Sequence, residues 1–151
     1  MIRYAIIGHP IAHSLSPLMH KTAFTALGVD ARYEALDVPP DNLRETVRNL
    51  FEQNYGGFNV TVPHKESIVP LLDALDVDAR IIGAVNTVVR NRGRFIGYNT
   101  DTIGFMRSLE PFHQRVRNKP VAVLGAGGGA RAVIHTLLSN QITHHIVVIN
   151  R

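Results

Sequence analysis

The sequence predicts an α/β fold: a three-layer α/β/α domain with a mostly parallel sheet over residues 1–110, then a linker and one β-α-β unit over residues 111–151. Three observations predict it. Short apolar runs suited to buried strands alternate with segments of helical periodicity from the first residues onward. Two strand-like runs flank Asn91-Arg92-Gly93, a turn sequence that inserts an antiparallel hairpin. A glycine run separates the strand-like VAVL from a helix-like stretch near the carboxy terminus.

Taken in order, RYAIIG reads as a short buried strand, and Ser16-Pro17 as an N-cap and first helical residue of a helix closed by Gly28. ARYEALDV alternates as a strand should. Asp41 then opens a helix whose Leu43, Val47, Leu50 and Phe51 share one face. GGFNVTV is a third strand ending in a Pro-His-Lys turn, and the segment from there to Ile82 is expected to be helical, in two pieces around Asp73 to Asp78. The hairpin spans Ala84–Arg90 and Arg94–Tyr98, and Asp101 caps a further helix to about Leu109. PFHQRVRNKP is polar, basic and bounded by prolines, which places the domain boundary there.

Composition narrows the chemistry. With 45% hydrophobic and 19% charged residues, the 151-residue chain has the make-up of a globular protein with one full core. No run approaches the roughly 18 apolar residues of a membrane helix, and MIRYAIIGHP lacks a signal-peptide layout, so a cytoplasmic protein without a membrane partner is expected. Cysteine is absent, which removes disulfides, thiolate metal sites and thiol nucleophiles. The histidines, His9 and His13 included, match no metal-ligand spacing, so no metal is expected. The net charge of +4 is spread along the chain except at Arg115, Arg117 and Lys119, a pattern that argues for no nucleic-acid partner and for tolerance of an anionic small molecule.

Gly125-Ala126-Gly127-Gly128-Gly129-Ala130 satisfies G-x-G-x-x-G/A between a strand and a helix, the context in which that pattern binds a dinucleotide on Rossmann-type units. Glycines let the backbone turn tightly and approach a pyrophosphate, whose charge meets free amides at the helix N-terminus. At the end of the next strand, where an acid would hold the ribose hydroxyls of NAD, stand Asn150 and Arg151. A guanidinium there suits a 2′-phosphate, so NADP is the expected cofactor.

In the first domain, SLSP, NVTVPHK, AVNT and GYNTD carry polar residues where packing alone would not ask for them. Asn59 and Thr61 alternate with Phe58 and Val60 near the C-terminal end of the third strand, beside the crevice where open α/β sheets bind ligands. Lys65 follows one turn later, and Asn86, Asn99 and Asp101 reach the same crevice from the hairpin. A lysine and an aspartate in one polar pocket form a proton-transfer pair, and the surrounding amides and hydroxyls suit a polyhydroxylated ligand. Taken singly, Ser16 and Asp101 are also helix caps, Asn99 a turn residue and Lys65 a surface charge.

At Ser14-Leu15-Ser16-Pro17, Asn59-Val60-Thr61-Val62-Pro63-His64-Lys65, Gly83-Ala84-Val85-Asn86-Thr87, Gly97-Tyr98-Asn99-Thr100-Asp101 and the glycine loop, the sequence resembles the shikimate dehydrogenase family, in that family's order and spacing. The resemblance implies reversible reduction of 3-dehydroshikimate to shikimate by NADPH, in aromatic amino-acid biosynthesis. It implies that Ser14 and Ser16 hold the substrate carboxylate, that Thr61, Asn86 and Asp101 contact the ring hydroxyls, and that Lys65 and Asp101 are the catalytic pair. Members of the family continue further, with the rest of the parallel sheet and a returning helical segment, so the chain is expected to be the amino-terminal part. Two strands and one helix leave an open sheet edge, which favours association, a homo-oligomer included. A relative acting on quinate or an amino-shikimate, and a non-catalytic shikimate-binding module, are the competing readings.

Overall fold

The computed structural model describes residues 1–151. Strand β1 (Ile2–Gly8) lies between β2 (Ala31–Asp37) and β3 (Gly57–Val60), parallel to both. Beyond β3 the hairpin β5 (Thr87–Asn91) and β6 (Arg94–Tyr98) adds two antiparallel strands, and a two-residue β4 (Ala74–Leu75) pairs parallel at the far edge. The order is β2-β1-β3-β5-β6-β4, a mixed and mostly parallel sheet as the sequence predicts. Helices cover both faces. Helix α1 (Ser16–Leu27) lies on the face of Tyr4 and Tyr33, where Phe24 meets Tyr4 and His20 stacks on Tyr33. Helix α2 (Leu43–Glu52) lies on the other, its Leu43, Val47 and Leu50 buried in one cluster with Ala5, Ile7, Phe58, Val60 and Val88. Alternate residues of β1 thus serve opposite layers.

The hairpin turn is Arg92-Gly93, both at positive φ (49° and 73°), the conformation that two-residue hairpins favour. Gly97 on β6 is required by closeness instead: a Cβ there would stand 2.6 Å from Leu72 and 2.7 Å from Val85.

Several local expectations are corrected. Helix α1 begins at Ser16 itself; its N-cap position is Leu15, and the Ser16 amide donates to the Ser14 hydroxyl at 3.3 Å, so Ser14 takes the capping role. Asp101 is not a cap either: α4 (Asp101–Leu109) starts on it after Thr100, and its carboxylate is engaged elsewhere. The α2 helix is preceded by a 3-10 turn over Pro40–Asn42, and Phe51 is partly exposed, covered by the Arg90 guanidinium 4.3 Å above its ring. Between Lys65 and Ile82 the chain forms only a 3-10 turn (Val69–Leu71), β4 and the short α3 (Val77–Ile82). There Asp73 is drawn to the sheet, where its carboxylate accepts from the Phe95 amide at 2.7 Å. The segment read as a linker holds a 3-10 turn (Glu110–Phe112) and the four-residue α5 (His113–Val116).

The last segment forms a separate two-stranded parallel sheet, β7 (Val121–Leu124) with β8 (Ile146–Ile149), joined by α6 (Gly128–Ser139). Leu124, Val147, Val148 and Ile149 are exposed on it. Helix α6 packs back on the first sheet's side through Ala132, which is buried with Ile82 and Ala84. No helix is long and apolar enough to cross a membrane.

Candidate functional site

The polar segments singled out in the sequence converge because β3 ends beside the start of the antiparallel β5. The Val60 amide donates to the Asn86 carbonyl at 2.9 Å and the Val85 amide to the Lys65 carbonyl at 2.7 Å, tying the loop after β3 to the loop before β5. Buried His64, which the sequence reading left within its motif without a role, anchors that loop from below by bonding the Val38 carbonyl at 2.6 Å.

Lys65 and Asp101 meet across this junction, with Lys65 Nζ donating to Asp101 Oδ2 at 2.7 Å. The other carboxylate oxygen accepts from Asn86 Nδ2 at 2.8 Å. Both charged side chains keep part of their surface open, 22% for Lys65 and 33% for Asp101, so the pair is half-buried and reachable from solvent. That combination, an ammonium fixed by a carboxylate yet reachable, is what proton transfer to a bound oxygen requires.

Behind the pair runs a file of hydrogen bonds. Thr87 Oγ1 donates to Asn86 Oδ1 at 3.0 Å, Asn59 Nδ2 donates to Thr87 Oγ1 at 3.1 Å, and the Tyr33 hydroxyl donates to Asn59 Oδ1 at 2.7 Å. Asn59 is thereby occupied by protein partners at both ends of its amide. Asn99 is placed differently from the expectation that it lines the crevice: it is buried, donates to the Ala84 carbonyl at 2.9 Å and accepts from the Asp101 amide at 3.1 Å. Its geometry fixes the start of α4 and hence the carboxylate. Asn99→Asp would set a carboxylate oxygen against the Ala84 carbonyl, and a loss of about 1–3 kcal/mol in urea unfolding is expected. Thr61 stands at the rim with its methyl against Gly8, where a Cβ would come within 2.5 Å of it.

Ser14 and Ser16 are half-buried, Ser14 just before α1 and Ser16 at its start beside Tyr33. Burial raises the Tyr33 phenol from 10.0 to about 12, with a Ser16 hydrogen bond offsetting a part, and burial lowers His20 beneath it. A phenol that keeps its proton in the folded state longer than in the unfolded one contributes stability fully below pH 10.0, and this is lost as pH rises through about 12. In a tyrosinate absorbance titration, one transition near pH 12 is expected, absent in Tyr33→Phe. Tyr33 and Thr87 are not marked as site residues by the sequence, because alternation in β2 shows only which face Tyr33 takes and no local pattern singles out the Thr87 hydroxyl.

The glycine loop lies at the C-terminal end of the second sheet, and so do Asn150 and Arg151, since Leu124 pairs with Ile149. Gly125 has φ of +105°, open to glycine and strained for other residues, while a Cβ on Gly129 would meet nothing within 4 Å. The first amides of the twelve-residue α6 have no partner within the helix and point toward that open space. Backbone donors beside room for a bulky anion fit a dinucleotide pyrophosphate. Gly128 faces the other way. A Cβ on it would stand 2.8 Å from Ala84 Cβ and 3.4 Å from Lys65 Cβ, so the glycine loop is in contact with the loop that carries Lys65. Arg131 on α6 adds an ion pair to Glu66 at 3.1 Å.

The profile of the shikimate dehydrogenase substrate binding domain matches residues 6–88, more than half of the chain. The chain belongs to the shikimate dehydrogenase family. It is similar to the NADP(+) shikimate dehydrogenase of Shouchella clausii, 47% identical over 99% of this chain and 54% of that protein. Among solved structures it is similar to the shikimate dehydrogenase of Aquifex aeolicus, with a TM-score of 0.93 and 41% identity over 100% of this chain and 56% of that one. The Thermus thermophilus shikimate 5-dehydrogenase, solved with NADP(H) and shikimate, gives a TM-score of 0.87 at 41% identity, over 100% of this chain and 56% of that one. The chain spans about half the length of the family members it matches. The match begins within β1 and ends within β5, so it contains Ser14, Ser16, Asn59, Thr61, Lys65 and Asn86 but neither Asp101 nor the glycine loop.

Proposed function

We propose that this chain supplies the substrate site and the opening of the NADP site of a shikimate dehydrogenase, which reduces 3-dehydroshikimate to shikimate reversibly. The observation that carries the reading is the Lys65–Asp101 contact at 2.7 Å, held by Asn86 and touching the glycine loop through Gly128. Residues 1–110 act as the substrate-binding domain and residues 111–151 as linker and start of the nucleotide domain, a division supported by the two separate sheets.

In this reading Ser14 and Ser16 hold the substrate carboxylate, while Thr61, Asn86 and Asp101 receive the ring hydroxyls. Asn59 shapes the pocket wall, and Asn99 sets the start of α4 behind it. Gly125, Ala126, Gly127, Gly128 and Gly129 cradle the pyrophosphate, and Asn150 with Arg151 meets the 2′-phosphate. When bound, NADPH supplies the hydride. Lys65 stabilises the alkoxide developing on the carbonyl oxygen and gives it a proton, and Asp101 keeps the ammonium aimed at that oxygen. A cytoplasmic location and a homo-oligomer complete the proposal; the second is checked by the mass of the protein in solution.

The test is an amide NMR titration of the chain with shikimate. Shifts confined to the surroundings of Ser14, Thr61, Lys65, Asn86 and Asp101 are expected. A folded spectrum that shikimate leaves unmoved would remove this substrate from the proposal.

A further inference from the structure

We infer that Tyr33 is a positioning residue for the Lys65–Asp101 pair, acting through a one-way hydrogen-bond file that runs Tyr33, Asn59, Thr87, Asn86, Asp101. The inference deepens the shikimate reading above by naming what orients its site.

The direction of the file is fixed at two points by backbone groups that can play only one part. Asn59 Nδ2 faces the Asn86 carbonyl at 3.3 Å, an acceptor only, so its amide cannot be reversed without setting oxygen against oxygen. Asn59 Oδ1 is then forced toward the Tyr33 hydroxyl, which must donate, as it does at 2.7 Å. Asn86 Oδ1 faces the Thr100 amide at 2.9 Å, a donor only, and also accepts from the Thr100 hydroxyl at 3.1 Å, so Asn86 turns its NH2 toward Asp101. Thr87 sits between the two amides, accepting from Asn59 and donating to Asn86. Its hydroxyl carries one proton and therefore passes the direction on.

Tyr33 heads this file as its first donor, and the Asp101 carboxylate is its final acceptor. The Tyr33 ring is held parallel to that of His20, with centroids 4.1 Å apart and planes 12° from each other, which keeps the hydroxyl between Asn59 Oδ1 and Ser16. Remove that hydroxyl and Asn59 Oδ1 is left half-buried without its donor, free to turn toward water. Thr87 is then no longer fixed by Asn59 and can turn its proton to the Thr100 hydroxyl at 3.4 Å, which leaves Asn86 Oδ1 to its Thr100 donors alone and loosens its NH2 against the carboxylate.

The experiment follows side-chain NH2 and hydroxyl proton signals by NMR, with shikimate affinity as a second readout. In the unaltered chain, slowly exchanging hydroxyl protons of Tyr33 and Thr87, each with a cross-peak to an asparagine NH2, are expected. Tyr33→Phe keeps the ring and its stacking on His20; it should shift the NH2 signals of both Asn59 and Asn86 and weaken shikimate binding by about fivefold to tenfold. Thr87→Val should move Asn86 in the same way, and Thr87→Ser should restore it. Tyr55→Phe, whose hydroxyl bonds Glu34 outside the file, should change neither readout. Asn86 signals that Tyr33→Phe leaves in place, or rapidly exchanging hydroxyl protons in the unaltered chain, would overturn the inference. If shikimate binds none of these proteins, the substrate reading fails by itself, and the NH2 and hydroxyl signals still decide whether Tyr33 orients Asn86.

Discussion

Lys65→Ala is expected to cut turnover by about 10²–10⁴-fold, the range over which a positioned acid or base contributes, with a far smaller change in KM for shikimate. The reason lies in where the ammonium sits. It is bonded to Asp101 and partly exposed, so in the proposed reaction its strongest interaction arises as negative charge develops on the carbonyl oxygen. The measurement is NADPH absorbance in this chain joined to the carboxy-terminal half of a relative such as the Shouchella clausii enzyme. Turnover retained within a factor of about three would take Lys65 out of the proton-transfer step, since such a step cannot be lost so cheaply.

Gly128→Val is the second large effect. A side chain there has no room: its Cβ alone would stand 2.8 Å from Ala84 and 3.4 Å from Lys65. Neither neighbour is a flexible side-chain tip, because Ala84 is buried and the Lys65 backbone is bonded to Val85. Forcing extra atoms into such a contact costs about 1–3 kcal/mol, and α6 would have to lift from the first domain. NADP binding by calorimetry and thermal unfolding should both weaken. Gly129→Ala, with open space at its Cβ, should unfold at nearly the unaltered temperature. Equal behaviour of the two variants would contradict the packing seen at Gly128.

The contrast between these glycines marks what the sequence reveals and what it withholds. The strand-loop-helix order around Gly125 to Ala130 is readable because local geometry imposes it. That Gly128 touches Lys65, about sixty positions earlier, depends on how α6 docks, and no local pattern records it. The same division holds in the first domain. Alternation in β1 and β3 and the helical spacing of Leu43, Val47 and Leu50 forecast the layers, since a single buried face enforces each period. The β4 strand was missed because two residues carry no period and are held by the edge of β6. Asp101 looked like a helix cap from spacing alone, and its partners Lys65 and Asn86 come from other elements. Asn99 was legible as polar and important, but its two backbone contacts exist only in the folded chain.

The contact of Gly128 with Lys65 has a mechanical meaning as well. It belongs to a seam that also holds the Arg131–Glu66 and His135–Asp78 ion pairs and Ala132 buried against Ile82 and Ala84, and bodies fastened along a seam travel least there. If the two sheets open and close around a ligand, the glycine loop and the lysine, both on this seam, keep their spacing. Closure can then admit and release ligands without resetting the distance on which the chemistry depends.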